Sequence, residues 1–222
     1  FPNGSGTPVP LTNLSGINFS SNVTGLSAGV TYYYHAYATN AGGTGYGAEQ
    51  SFTTVAAPTL SGSALTGFGN VCINTTAGPN SFTITGTNLT TADVTVGVLN
   101  GFTYSTTAGG TYTSTLNLPQ PGGAYSQQVF VNFSPMLVQS YNGDIPVGGG
   151  GAASINVAAT GDGVNTVPTV TTGAASAITT ATATLAGTIP ANGCSAVTAY
   201  GVEYSTTIGF PNGSGTPVPS TN

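Results

Sequence analysis

Residues 26–54 read LSAGVTYYYHAYATNAGGTGYGAEQSFTT. Aromatic and small apolar residues alternate here with polar ones, and side chains on a strand point to opposite faces with a period of two. The alternation places Tyr32, Tyr34, Ala36 and Ala38 on an inward face and Tyr33, His35 and Tyr37 on an outward one. Gly42 to Gly47 predict a turn, and Ser51 to Thr54 a last strand. The rest of the chain shares this character. Thr, Val, Tyr and Gly abound, and the strong helix formers are scarce. Asn-Gly pairs at Asn3-Gly4, Asn100-Gly101, Asn142-Gly143, Asn192-Gly193 and Asn212-Gly213 predict hairpin turns. The expected fold class is all-β.

Leu26, the Gly29 turn, Tyr32 opening a strand that ends in Ala38-Thr39-Asn40, the Gly-rich turn and the final strand occur in an order that resembles the second half of a fibronectin type III domain, of the kind repeated in bacterial secreted and surface proteins. The resemblance implies a β-sandwich and puts Tyr32 at the tyrosine-corner position, where the hydroxyl closes back on nearby backbone. Residues 168–222, beginning PTVTTGAASAITTATATLAG, resemble the opening strands of the same family, with Val170, Leu185, Val197, Tyr200, Val202 and Tyr204 inward. Between the two, residues 57–163 resemble a complete immunoglobulin-like sandwich. Phe82 and Ile84, Val94 and Val96, Val129, Val131 and Phe133, and Ile155 and Val157 supply its alternating apolar faces. Residues 164–167 form the linker, and 1–56 are the second half of a sandwich whose first half corresponds to 168–222.

A duplication explains the split. Phe1 to Asn13 reads FPNGSGTPVPLTN and Phe210 to Asn222 reads FPNGSGTPVPSTN, differing only at Leu11 and Ser220. The offset is 209 residues. A repeat confined to the two ends predicts one period of a tandem array with a short overlap into the next. Residue 1 is not Met, and the chain is expected to be a piece of something longer. Separate subunits that complete each other by strand donation are an alternative; the overlapping copies favour one continuous chain.

Composition excludes several function classes. The chain has 222 residues, no Lys or Arg, five acidic residues and one His. Without cations there is no counterion-release term for nucleic acid and no attraction to anionic lipid. No apolar run is long enough for a transmembrane helix. A catalytic constellation is hard to assemble, and no enzymatic activity and no cofactor are expected. His35 reads as a solvent-facing strand residue rather than a general base. Glu49 and Glu203 sit in separate strands with nothing to suggest a cleft between them. Asp93, Asp144 and Asp162 are conceivable Ca²⁺ donors in ordinary turn settings, and two Cys with one His give no zinc spacing, so no metal site is expected. An exposed strip of Tyr33, Tyr37 and Tyr46 reads as cross-strand or interdomain contact before it reads as a sugar-stacking platform.

Cys72 and Cys194 fall one in each expected sandwich. They are candidates for an interdomain disulfide, the alternative being two unpaired thiols acting as small apolar residues. Asn-x-Ser/Thr sequons stand at Asn3, Asn13, Asn18, Asn22, Asn74, Asn88, Asn132 and Asn212, the Asn132 site being weakened by Pro135. Glycans there would hydrate a surface that has few charges. These features together predict a structural repeat unit of an extracellular fibre or cell-surface stalk, secreted or surface-bound, with neighbouring copies of itself and covalent glycans as partners. The rival reading is an adhesive or carbohydrate-binding module of a secreted multidomain protein.

Overall fold

A computed structural model describes residues 2–9 and 13–219. The chain is all-β, with no helix among the described residues. β1 (Asn13–Ser15) and β2 (Asn18–Ser20) form a hairpin. β3 (Thr31–Tyr34), β4 (Tyr37–Asn40), β5 (Gly43–Tyr46) and β6 (Gln50–Thr53) follow. β4 and β5 make a hairpin nested between β3 and β6, which pair with each other.

The centre of the chain holds β7 (Thr59–Gly62), β8 (Asn70–Cys72), β9 (Ala77–Leu89), β10 (Val94–Val96), β11 (Phe102–Ser105), β12 (Leu116–Leu118), β13 (Gly123–Phe133), β14 (Gln139–Ser140), β15 (Gly143–Gly149), β16 (Ala152–Ala159) and β17 (Asp162–Val164). One four-stranded sheet has the order β12-β10-β15-β16 and the other β11-β13-β9-β7. A small third sheet joins β14, β17 and β8, with β17 and β8 parallel. The first two sheets share one core. Phe82 and Ile84 on β9, Val129, Val131 and Phe133 on β13, and Phe102 and Tyr104 on β11 meet Val94 and Val96 on β10, Ile145 and Val147 on β15, and Val157 on β16. Alternation is the cause, since every second residue of the long β9–β13 pair faces inward, in the register Phe82↔Val129 and Ile84↔Gln127. Four aromatic rings close one end. The Phe133 ring centroid lies 4.8 Å from that of Phe102, 5.6 Å from Phe68 and 5.4 Å from Tyr141.

Two further ribbons follow, β18 (Thr169–Thr172) with β19 (Gly187–Ala191), and β20 (Gly201–Tyr204) with β21 (Thr216–Pro219). Among the described residues these ribbons and those of residues 13–53 remain two-stranded, with none paired to a third strand.

Three expectations are corrected here. Of the five Asn-Gly pairs, only Asn212-Gly213 lies in a connection between paired strands, β20 and β21. The β15–β16 hairpin instead turns at Gly150 and Gly151, both at positive φ. Asn100-Gly101 links strands of different sheets, because a left-handed residue serves a crossing as well as a hairpin. Val164, expected in the linker, is the last residue of β17 and is held beside Cys72. His35, expected to face solvent, is tucked in. The strand breaks after Tyr34, and the ring turns so that Nδ1 lies 2.9 Å from the Gly47 carbonyl oxygen and Nε2 3.6 Å from Glu49 Oε2.

Candidate functional site: a disulfide joint and two apolar faces

The first structural feature is a joint between the central sheets and the C-terminal ribbons. Cys72 ends β8, directly beside Val164 of β17. The Ile73 N–H donates to the Val164 carbonyl, so the chain leaving β17 is already anchored at this point. It passes through residues 165–168, forms β18 and β19, and returns in the turn Asn192-Gly193-Cys194. There the Cys194 N–H donates to the Thr166 carbonyl at 2.9 Å, and Cys194 is disulfide-bonded to Cys72, with Cα atoms 5.3 Å apart. Gly193 permits the approach. Its φ is +71°, and a Cβ there would run into the Thr166 carbonyl. The linker is thus held between the Cys72 strand and the Cys194 turn.

The second feature is the apolar surface left exposed among the described residues of 26–54 and 168–219. On β3 and β6, Tyr32, Tyr34 and Phe52 share one face. The Phe52 ring centroid lies 5.8 Å from that of Tyr32 and 6.2 Å from that of Tyr34. The opposite face carries Tyr33 and the hydroxyl pair Thr31–Thr53 at 2.8 Å. Tyr34 and Phe52 remain 50% and 41% exposed, whereas their counterparts in the central core are fully buried. Tyr32 closes the corner expected of it, its hydroxyl accepting the Ser27 N–H at 2.9 Å. At the other end, Val170, Leu185, Ile189, Val197, Tyr200 and Val202 line an open cleft of about 600 Å³ between the β18–β19 and β20–β21 ribbons. Tyr204, expected with them, is 51% exposed and does not line the cleft.

The third feature is the turn at the start of the duplicated stretch, residues 2–5 and 211–214, which has the same form in both places. Ser5 and Ser214 each close a turn on the proline carbonyl three residues before, N–H at 3.1 Å and Oγ at 2.6 Å in both copies. Gly4 and Gly213 have φ of +80° and +83°. Their surroundings differ. The Glu203 carboxylate accepts the N–H groups of Gly213, at 2.9 and 3.0 Å, and of Gly215 at 3.3 Å. At Gly4 the neighbour is the Tyr46 hydroxyl, 3.2 Å from where a Cβ would stand.

The remaining candidate residues stay apart. Tyr37 and Tyr46 are register partners with ring centroids 6.0 Å apart, a cross-strand pair rather than a platform shared with Tyr33. Asp93 accepts a hydrogen bond from Asn117 and Asp144 one from Asn156, and no group of three or more His, Cys, Asp or Glu gathers among the described residues. Glu203 holds the Gly213 turn while Glu49 lies beside His35. The sequon residues Asn3, Asn18, Asn22, Asn74, Asn88 and Asn212 are exposed, Asn132 is half-buried, and Asn13 opens β1. Burial pushes the Tyr104 hydroxyl up to about 12, the Leu99 backbone beside it opposing this in part, and burial shifts Tyr125 in the same direction. Among the described residues no helix is long and apolar enough to cross a membrane.

Two contributors escaped the sequence. Tyr141 repeats the Tyr32 device in the central sheets, its hydroxyl accepting the N–H groups of Met136 and Leu137 at 3.1 and 3.0 Å. Glu203 was legible only as a lone acid in a strand; its position ahead of the Gly-rich NGSG turn was the available signal. No protein-family model matches the sequence, and no curated protein matches it at a significant level.

Proposed function

We propose that the chain is the structural repeat unit of an extracellular fibre or cell-surface stalk. Immunoglobulin-like and fibronectin type III-like sandwiches alternate in a 209-residue period, and the second kind is divided between the chain's two ends. One observation carries this reading: a near-identical stretch at both ends takes up the same turn, while each end is an amphipathic half whose aromatic or aliphatic face lies open. A two-stranded ribbon is marginal in water by itself, so such halves call for completion. Period-by-period completion produces a nearly one-dimensional array whose length comes from repetition. The Cys72–Cys194 bond supports an oxidising, extracellular setting and stiffens the joint between successive units. The exposed sequons are proposed as glycan acceptors that hydrate a surface without Lys or Arg.

The test is a two-period chain, residues 1–209 followed by 1–222, unfolded by calorimetry or single-molecule force. The fibre reading expects two central units and one additional cooperative unit made from 168–209 of the first period and 1–56 of the second. Two central transitions with nothing further would refute it.

A further inference from the structure

Among the described residues, the open cleft of the C-terminal ribbons and the aromatic face of β3 and β6 are the largest exposed apolar features, and the duplicated turn says how they meet. We infer that the cleft lined by Val170, Leu185, Ile189 and Val202 takes residues 13–54 of a second copy of this chain, in a register where Glu203 of one copy and Tyr46 of the other hold the same glycine turn. The inference rests on the fibre reading and adds to it the identity of the occupant, its orientation and the residues that set register.

The chemistry of the two faces matches. The cleft is aliphatic with one aromatic, Tyr200, and carries no charged side chain in its lining. The β3–β6 ribbon offers Tyr32, Tyr34 and Phe52 on one side and hydroxyls on the other. Burying the aromatic side against the cleft removes both apolar surfaces from water and leaves the hydroxyl side wet.

Register follows from superposing the two copies of the turn. They share backbone conformation and both serine hydrogen bonds. If Gly4 and Gly213 mark one place in the assembled unit, each supplies half of its surroundings. The Glu203 carboxylate reaches it from the preceding strand β20. The Tyr46 hydroxyl reaches it from β5 of the following copy. The acceptor already contains its own turn, so the donor enters from Asn13 onward. Donor and acceptor surfaces differ and lie at opposite ends of the sequence, so the contact is head-to-tail and propagates rather than closing as a twofold dimer.

The decisive experiment uses two complementary variants of the 222-residue chain in sedimentation velocity over a wide concentration range. Leu185→Asp spoils the cleft and leaves the aromatic ribbon intact; Phe52→Asp does the reverse. The unaltered chain is expected to form open-ended oligomers. Each variant alone is expected to associate about 100-fold more weakly, because a carboxylate is forced into an apolar contact. The two mixed are expected to stop at a one-to-one dimer, having one sound cleft and one sound ribbon between them. This restoration shows that neither variant has simply unfolded. A mixture that stays monomeric, or variants that polymerise like the parent, would overturn the inference. Register is read in the same mixture. Glu203→Gln on the cleft donor and Tyr46→Phe on the ribbon donor should each weaken the dimer about tenfold, and together by less than the product. Full independence of the two effects overturns the shared-turn register. If pairing fails here while the two-period chain still shows its additional unit, the fibre reading stands and the association of separate copies does not.

Discussion

Tyr104 is fully buried in a core with few polar neighbours, and its hydroxyl is correspondingly reluctant to ionise. The sign of the consequence is definite. The folded value is raised to about 12 against 10.0 for the free group. Stability is therefore full below pH 10 and lost as the pH rises toward 12, since only the unfolded chain sheds the proton in that window. The loss amounts to roughly 2–3 kcal/mol. Equilibrium unfolding between pH 9 and 12 should show it, and Tyr104→Phe should remove most of this dependence; an unchanged alkaline slope in that variant would sink the attribution. Burial shifts Tyr125 and Tyr112 in the same direction, so both add to whatever slope remains. Cys72 and Cys194 act at the same scale. Cys72 already lies beside Val164, so the bond effectively closes only the segment from there to Cys194, about 30 residues. Replacing both cysteines with serine should leave the central core intact while costing the 169–219 segment about 3 kcal/mol of local stability. Hydrogen exchange resolved along the chain is the measurement, and uniform loss of protection across both regions would count against it. The proposed glycans predict an intact mass above that of the bare chain, and a mass equal to the sequence would refute them.

At the level of strands, the chain makes two kinds of sheet from one composition. β9 and β13 run long enough to present several inward residues each, and they are covered by β10, β15 and β16. Phe133 is central to this, buried completely, stacked on Phe102 and packed against the tilted Phe68 ring and the edge-on Tyr141 ring. Phe133→Ala should cost about 3–5 kcal/mol, visible as a lowered denaturation midpoint of the central unit. A change under about 1 kcal/mol would show that the ring cluster collapses around the gap. The outer faces substitute hydroxyl ladders for ion pairs, with Thr59–Thr87 at 2.8 Å, Ser61–Thr85 at 2.7 Å and Thr39–Thr44 at 2.8 Å. Such pairs are indifferent to salt, so thermal stability of the central unit should barely move between low and high sodium chloride. The terminal ribbons have the same alternation, but among the described residues no further strand pairs with them, and Tyr34, Phe52, Val170 and Leu185, all of inward type, stay exposed there.

Across the whole molecule, the proposed fibre would alternate central units with composite units assembled from two periods, the Cys72–Cys194 bond restraining each junction. A fibre of this kind gains length without gaining new contacts, because each junction repeats the last. Reduction should therefore make assembled fibres more flexible without shortening them, measurable as a fall in persistence length by electron microscopy. Fragmentation into single periods on reduction alone would contradict a joint that only restrains orientation.

How much of this was legible beforehand differs from residue to residue. Two-residue alternation marked Phe82, Ile84, Val129, Val131 and Phe133 as core, and all are buried. It also marked Tyr34 as inward, as the family resemblance did Leu185, and among the described residues both stay exposed, at 50% and 40%. Alternation assigns a residue to a face; only the presence of a second sheet makes that face an interior. His35 was misplaced because a local break after Tyr34 resets the alternation, and nothing in the residue types announces it. The all-β class, the duplication at an offset of 209 residues and the amphipathic faces were determined by the sequence alone, since composition, duplication and periodicity are read along the chain itself. The parallel β8–β17 pairing that sets Cys72 beside Val164, and the Glu203 grip on Gly213, were decided by tertiary structure. The β8–β17 pairing joins segments about ninety residues apart, and the Glu203 contact needs the β20–β21 ribbon to form and turn its carboxylate onto Gly213; residue types alone announce neither.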